Sequence, residues 1–456
     1  MQSIHGFDFF SLNFDDKGKL ASGEFDDCKR RAAAATDIIF LAHGFRNDLA
    51  DATKLYSKFL DTFSSHLKRP EFHELSTRNF IVAGVFWPSK ALPESFPSDE
   101  GSAQAVDDDA PQMAAAAKKL QDLKDTSPDH AAALDEAAAL LPTVKDDPAK
   151  QDRFASLVLS TLDGSQIDST EGLDRVRQQD GSVMFQKLSG PIVIPTRSPE
   201  ESADAGGVAA GVDTAGTDGG GVQSFGSFFR SILGGVDKFL NLTTWYVMKN
   251  RSGIVGATGV AQAVRDLKAS NPKIRLHLVG HSLGGRLIAG CAKSLAQTPL
   301  LQPDSVTLLE AAFSHYGFSA NNGKGTPGFF RDVIAKKVVK GPLLETFSFQ
   351  DTVVGLTYAI ASHLADDNSE AIGDVNDLFG GIGRNGAQKT AESVSIKLKT
   401  AASPGDPYVF KTGIVTCLDG SGGLITDHGD VTNENVTYAF ASAVAATGSA
   451  ESAVTG

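Results

Sequence analysis

Short unbroken apolar runs alternate with stretches of 3- and 4-residue apolar spacing over two parts of this chain. Asp37-Ile38-Ile39-Phe40-Leu41-Ala42 and residues 80–87, halted by Pro88, show no apolar–polar alternation. That is the pattern of strands buried on both faces of a parallel sheet. Between them Leu49, Thr53, Tyr56, Phe59, Leu60 and Phe63 fall on one helical face. The rhythm returns later, with strands expected over 274–279, 305–309 and 343–349, helices over 259–269 and 286–297, and a last strand over 408–417. At the start, residues 7–14 read as a strand running into the turn Asp16-Lys17-Gly18-Lys19, which predicts a β-hairpin. Strand, helix and strand in succession predict an α/β fold: a mostly parallel central sheet flanked by helices.

The rhythm breaks over 89–224, which is rich in Ala, Asp, Pro and Gly and includes a Gly-rich stretch at 206–221. Helical spacing survives only in parts of it, such as 114–124 and 131–141. The chain therefore divides into 1–88, the first part of the core; 89–224, an insertion that forms a cap or a flexible region; and 225–456, the rest of the core. Phe225, Phe228, Phe229, Ile232, Leu233, Val236, Phe239 and Leu240 make one apolar stripe. The stretch 225–248 is read either as a core helix or as a lid over an apolar pocket.

An apolar share of 41% in 456 residues is enough to build a large core. The net charge of -13 excludes general attraction to nucleic-acid phosphate and disfavours electrostatic docking on an anionic membrane. A peripheral contact with a lipid surface through an apolar patch stays open. Cys28, Cys291 and Cys417 are too few and scattered for a disulfide framework or a zinc ribbon. The first residues lack the basic and apolar regions of a secretory signal, and no run of about 20 apolar residues suggests a spanning helix. A cytoplasmic address is the expectation.

The chemistry concentrates in Gly280-His281-Ser282-Leu283-Gly284-Gly285, set between a buried strand and a helix. A G-x-S-x-G segment in that context is the sequence form of a nucleophile elbow. The sharp turn strains the serine, so glycine is needed on both sides. The helix that begins there aims its amide dipoles at charge developing on a substrate oxygen. His281 and His277 read as packing and core histidines. Serine is a poor nucleophile without a base. Of the histidines that follow it, His315 and His363 read as structural, while His428 lies beyond the last expected strand in Thr426-Asp427-His428-Gly429-Asp430. Asp351, after the run at 343–349, is the expected acid, with Glu310 as the alternative; Asp419, Asp427 and Asp430 read as solvated loop carboxylates. His43-Gly44-Phe45 follows an earlier strand, and the amides of Phe45 and Leu283 are the candidate oxyanion donors.

These segments, with Gln350-Asp351-Thr352-Val353-Val354 and the late His428, resemble the lipase and serine-esterase branch of the α/β-hydrolase superfamily, over roughly 36–90 and 255–435. The resemblance implies an α/β-hydrolase fold with a large inserted cap-like region and acyl-enzyme chemistry without a cofactor. His428 would take the Ser282 proton, the Leu283 and Phe45 amides would hold the oxyanion, and water would release the acid. The expected substrate is a small-molecule or lipid ester with an apolar acyl chain. A phospholipase or amide hydrolase using the same residues is the alternative, as is a silent scaffold that binds a ligand or protein. No metal site is expected: Asp366-Asp367-Asn368 and Asp374-Val375-Asn376-Asp377 do not match the spacing of an EF-hand loop.

Overall fold

Apolar runs with no polar alternation become the centre of the sheet. In the computed structural model, β3 (Asp37–Ala42) and β4 (Phe80–Phe86) are buried at every position. The structure describes residues 2–21, 23–89, 110–190, 232–297, 299–364 and 377–448. The other strands are β1 (Gln2–Ile4), β2 (Phe7–Asn13), β5 (Arg275–His281), β6 (Ser305–Leu309), β7 (Leu343–Phe347), β8 (Ser393–Lys397) and β9 (Val415–Asp419). They form one nine-stranded sheet in the order β1-β2-β4-β3-β5-β6-β7-β9-β8, parallel throughout except where β1 pairs antiparallel with β2. This is an α/β fold with a mostly parallel sheet flanked by helices.

Alternate residues of the central strands serve the two faces of the sheet. Ile39 and Leu41 join Phe9, Val82 and Phe86 in a core closed by helices Leu49–His66 and Glu434–Ala446. There Phe59 and Phe63 lie 5.2 and 5.0 Å from the Phe440 ring. The other face carries helices Glu24–Ala32, Ala261–Ser270 and Leu283–Leu295. Each fully buried Ile or Phe contributes about 1.5–3 kcal/mol relative to exposure, so the register of these strands is strongly specified.

Three expectations are corrected. The N-terminal hairpin forms with the upstream β1 rather than beyond 16–19, where only the isolated bridge between Phe14 and Leu20 closes the turn. The last strand covers Val415–Asp419; Tyr408 and Phe410 stack on each other 5.7 Å apart and pack against the core from outside the sheet. Asp419 is buried in β9 and paired with Lys397, so it is no solvated carboxylate.

Two compact units emerge: Met1–Ser89, Arg251–Gly355 and Gly380–Gly456 form the first, and Lys90–Asn250 with Leu356–Phe379 the second. The described part of the second unit is helical, including Ala110–Thr126, Ala131–Leu140, Pro148–Leu159 and Gly181–Leu188. Helix Ile232–Ile254 starts there, and the part of the apolar stripe it carries is mostly buried, with Phe239 against the Phe185 ring at 5.3 Å. Phe225, Phe228, Phe229 and the Gly-rich stretch lie outside the described residues, as do Asp366-Asp367-Asn368 and residues 374–376. No helix among the described residues is long and apolar enough to cross a membrane. The three cysteines are free and buried.

Candidate active site

The strand order fixes where chemistry can gather. From β3 the sheet grows one way to β4, while from β5 it grows the other way through β6 and β7. Open α/β sheets bind ligands outside the carboxyl ends of the strands at such a switch point. Ala42 pairs with Gly280, so the His43-Gly44-Phe45 loop leaves β3 beside the point where β5 delivers Ser282. Glu310 directly follows β6, Asp351 comes four residues after β7, and His428 lies in the loop beyond β9.

Ser282 stands at the junction of β5 and helix Leu283–Leu295, with φ 57° and ψ −125°. A non-glycine residue held there stores about 1–3 kcal/mol of strain and persists only where its surroundings over-determine it. Here they do. Ser282 N–H donates to the Leu309 carbonyl at 3.0 Å, and its own carbonyl accepts from Ala312 N–H at 3.0 Å. A Cβ on Gly284 would lie 2.2 Å from the Ala42 carbonyl oxygen, and one on Gly44 would lie 2.8 Å from Ser282 Cβ. Only glycine at these two places lets the β3 loop touch the turn.

That loop is tied down from behind. Trp87 Nε1 donates to the His43 carbonyl at 3.0 Å, His43 N–H donates to the Tyr56 hydroxyl at 2.9 Å, and the His43 and Trp87 rings stack 5.7 Å apart. Burial lowers His43 to about 4, so it stays neutral. Among the described residues, the amides of Phe45 and Leu283 donate to no acceptor.

His428 is fixed from two sides. Its Nδ1–H donates to Asp351 Oδ2 at 2.7 Å, leaving Nε2 as the free nitrogen. Its carbonyl accepts from His281 Nε2–H at 2.7 Å, and the two rings lie 4.7 Å apart. Asp351 is fully buried; its other oxygen accepts from Val354 N–H at 2.9 Å, and Arg384 Nη1–H donates to its carbonyl at 2.9 Å. Glu310 Oε2 stands 3.6 Å from His428 Nδ1. The structure thus brings His428, Asp351 and Glu310 together and places Ser282 beside the histidine that holds His428. Ser282 Oγ forms no hydrogen bond among the described residues, and catalytic hydrogen bonds often tighten only with substrate bound.

Electrostatics separate these groups. Burial opposes the charged form of His428, but the charge and hydrogen bond of Asp351, with Glu310 behind, outweigh it and push the imidazole up to about 10. Burial, reinforced by Asp351 and Asp427 and partly offset by the contact with His428, pushes Glu310 up to about 8. Burial and the neighbouring His428 hold His281 down at about 3. One ligand atom from each of Glu310, Asp351 and His428 lies within 4.8 Å of the others, close enough for a cation. The imidazole–carboxylate bond accounts for Nδ1 and Asp351 without one.

A bonded Ser–His–Asp set lies at the opposite ends of the strands. His277 bonds Asp37 at 3.0 Å and Ser305 at 2.8 Å, and all three are completely buried. Arg78 and Arg275 balance Asp37. No substrate reaches a sealed serine, so this set is structural, and His277 is the core histidine that its strand position implies.

Comparisons with protein-family models, curated proteins and solved structures found no match to this chain. His315 bonds Asn385 at 3.1 Å and His363 the Lys187 carbonyl at 3.2 Å, which accounts for both. Sequence reasoning missed the anchoring roles of His281 and Arg384. Arg384 lies far along the chain in a four-residue helical turn, Ile382–Asn385, with no motif to mark it.

Proposed function

We propose that this chain is a serine hydrolase of the α/β-hydrolase kind that cleaves carboxylic esters through an acyl-enzyme on Ser282. The observation that carries the proposal is a strained serine at a strand-to-helix turn, on the sheet edge that also presents a histidine bonded to a buried aspartate. Strain of this kind clusters at active sites.

Ser282 Oγ–H gives its proton to His428 Nε2 while Oγ attacks the ester carbonyl carbon. Asp351 holds the imidazole in the required tautomer and stabilises its charged form. The free amides of Leu283 and Phe45 receive the oxyanion, reinforced by the N-terminal dipole of helix Leu283–Leu295. The intermediate collapses as His428 returns the proton to the departing alkoxide. Water then gives its proton to His428, attacks the acyl carbon and releases the acid and the Ser282 hydroxyl. No cofactor enters these steps. The expected partner is an ester with an apolar acyl group, from small molecule to lipid; p-nitrophenyl esters of increasing chain length, beside phospholipids and aryl amides, rank the substrate classes.

A fluorophosphonate probe tests the reading. Native protein should label on Ser282, and Ser282→Ala should neither label nor hydrolyse esters, with kcat lower by about 10⁴-fold or more. Native protein that stays unlabelled beside a reactive control hydrolase would leave a silent binding scaffold as the better reading.

A further inference from the structure

Glu310 combines two unfavourable features in one residue. It directly follows β6 with φ 43°, a left-handed backbone that glycine adopts freely and glutamate does not. Its side chain is also fully buried, and neither carboxyl oxygen has a hydrogen-bond partner. Its N–H donates to the Thr346 carbonyl at 3.1 Å, and a Cβ on Gly383 would lie 2.3 Å from its carbonyl carbon, so the residue is clamped in this pose. Backbone strain and an unsatisfied buried polar group in one place need a compensating role. The pose aims the carboxyl at His428 Nδ1, 3.6 Å away, on the nitrogen that already donates to Asp351.

We propose that Glu310 is a positioning residue of the same site, a second acid that shares His428 Nδ1 with Asp351 and supports the imidazole when Asp351 is lost. This rests on the hydrolase reading. The acid function is thus doubled, from the ends of two adjacent strands. Two buried carboxyls this close cannot both carry charge cheaply. Asp351 after β7, Glu345 within β7 and Asp427 in the histidine's own loop all face this cluster with negative charge or the capacity for it, while His428 and the neutral His281 face it from the other side. Asp419 and Cys417 of β9 act on Glu345 behind it. At neutral pH Glu310 retains its proton, in keeping with its rise to about 8. Above that pH Glu310 ionises, a second negative charge faces the imidazole, and His428 holds its own proton longer.

The test compares Asp351→Asn, Glu310→Gln and the double variant by ester hydrolysis, with NMR titration of the His428 imidazole in each. Glutamine copies the size and neutrality of the protonated acid, so the fold should survive. Asp351→Asn should keep at least about tenfold more kcat/KM than the double variant. In Glu310→Gln the ascending limb of the pH–rate profile and the His428 titration should both move to lower pH, by about one unit. A merely structural glutamate would move neither. The proposal is overturned by an Asp351→Asn variant as inactive as the double, or by a Glu310→Gln titration that superposes on the native one. The titration decides the pairing even in a protein that reacts with no probe, so the loss of the hydrolase reading and the loss of this one are separate results.

Discussion

Ser282 and Gly44 show how single positions set this site. The serine's conformation is fixed by backbone hydrogen bonds to Leu309 and Ala312, and the β3 loop reaches it only because position 44 has no side chain. Gly44→Ala would put a methyl group 2.8 Å from Ser282 Cβ and push the Phe45 amide out of reach of an oxyanion. Losing one such donor typically costs about 2.7–4 kcal/mol in the transition state. Ester hydrolysis by Gly44→Ala should therefore fall about 10²–10³-fold while its circular dichroism stays native. Phe45→Leu, which keeps the amide, should stay within a few-fold of native kcat/KM in the same assay. The G-x-S-x-G turn was legible because both of its constraints are local, a close backbone approach and a strained serine. The Glu310 strain was not, since nothing in Leu309-Glu310-Ala311 announces a positive φ.

At the scale of elements, the legible strands were those buried on both faces. Near-continuous apolar composition marks β3 and β4, because such strands have no solvent side on which to alternate. The edge strand β8 was invisible, with no residue fully buried in Ser393–Lys397. Tyr408 and Phe410 misled in the other direction, since aromatic packing beneath the sheet leaves the same trace as a strand. The second unit has its own polar anchor. Lys249 of helix Ile232–Ile254 is ion-paired with Glu171, both fully buried, while Tyr358 Oη lies 2.7 Å from each and the Trp245 ring lies 3.9 Å from Nζ. Breaking a buried pair by removing one partner costs about 3–5 kcal/mol. Lys249→Met should lower the urea midpoint accordingly, and adding Glu171→Gln should restore part of the loss, since the stranded carboxylate is then gone.

For the whole molecule, stability and activity should respond to pH in opposite directions. His428 moves from 6.5 to about 10 on folding and Glu310 from 4.5 to about 8. Both folded-state values are raised, so the native protein binds more protons than the unfolded chain between those limits, and stability falls as pH rises through them. For Glu310 the loss runs from about pH 4.5 to 8, and for His428 from about 6.5 to 10. Catalysis instead needs the neutral imidazole, so kcat/KM should climb from pH 7 towards 10. Thermal midpoints in calorimetry should decline over the same range; a rate plateau already reached at pH 7.5 would show that His428 is not so strongly held. The sealed set of Asp37, His277 and Ser305 has a separate consequence. It occupies the starts of β3, β5 and β6, while the Gly44 loop, Ser282 and Glu310 follow their ends, about 17 Å away at 3.3–3.4 Å per residue. One fold thus keeps a completely sealed triplet besides the proposed catalytic one, whose histidine is partly exposed. The hidden triplet is a built-in sentinel: a hydroxyl reagent that reached Ser305 would be timing the separation of the central strands, not any turnover.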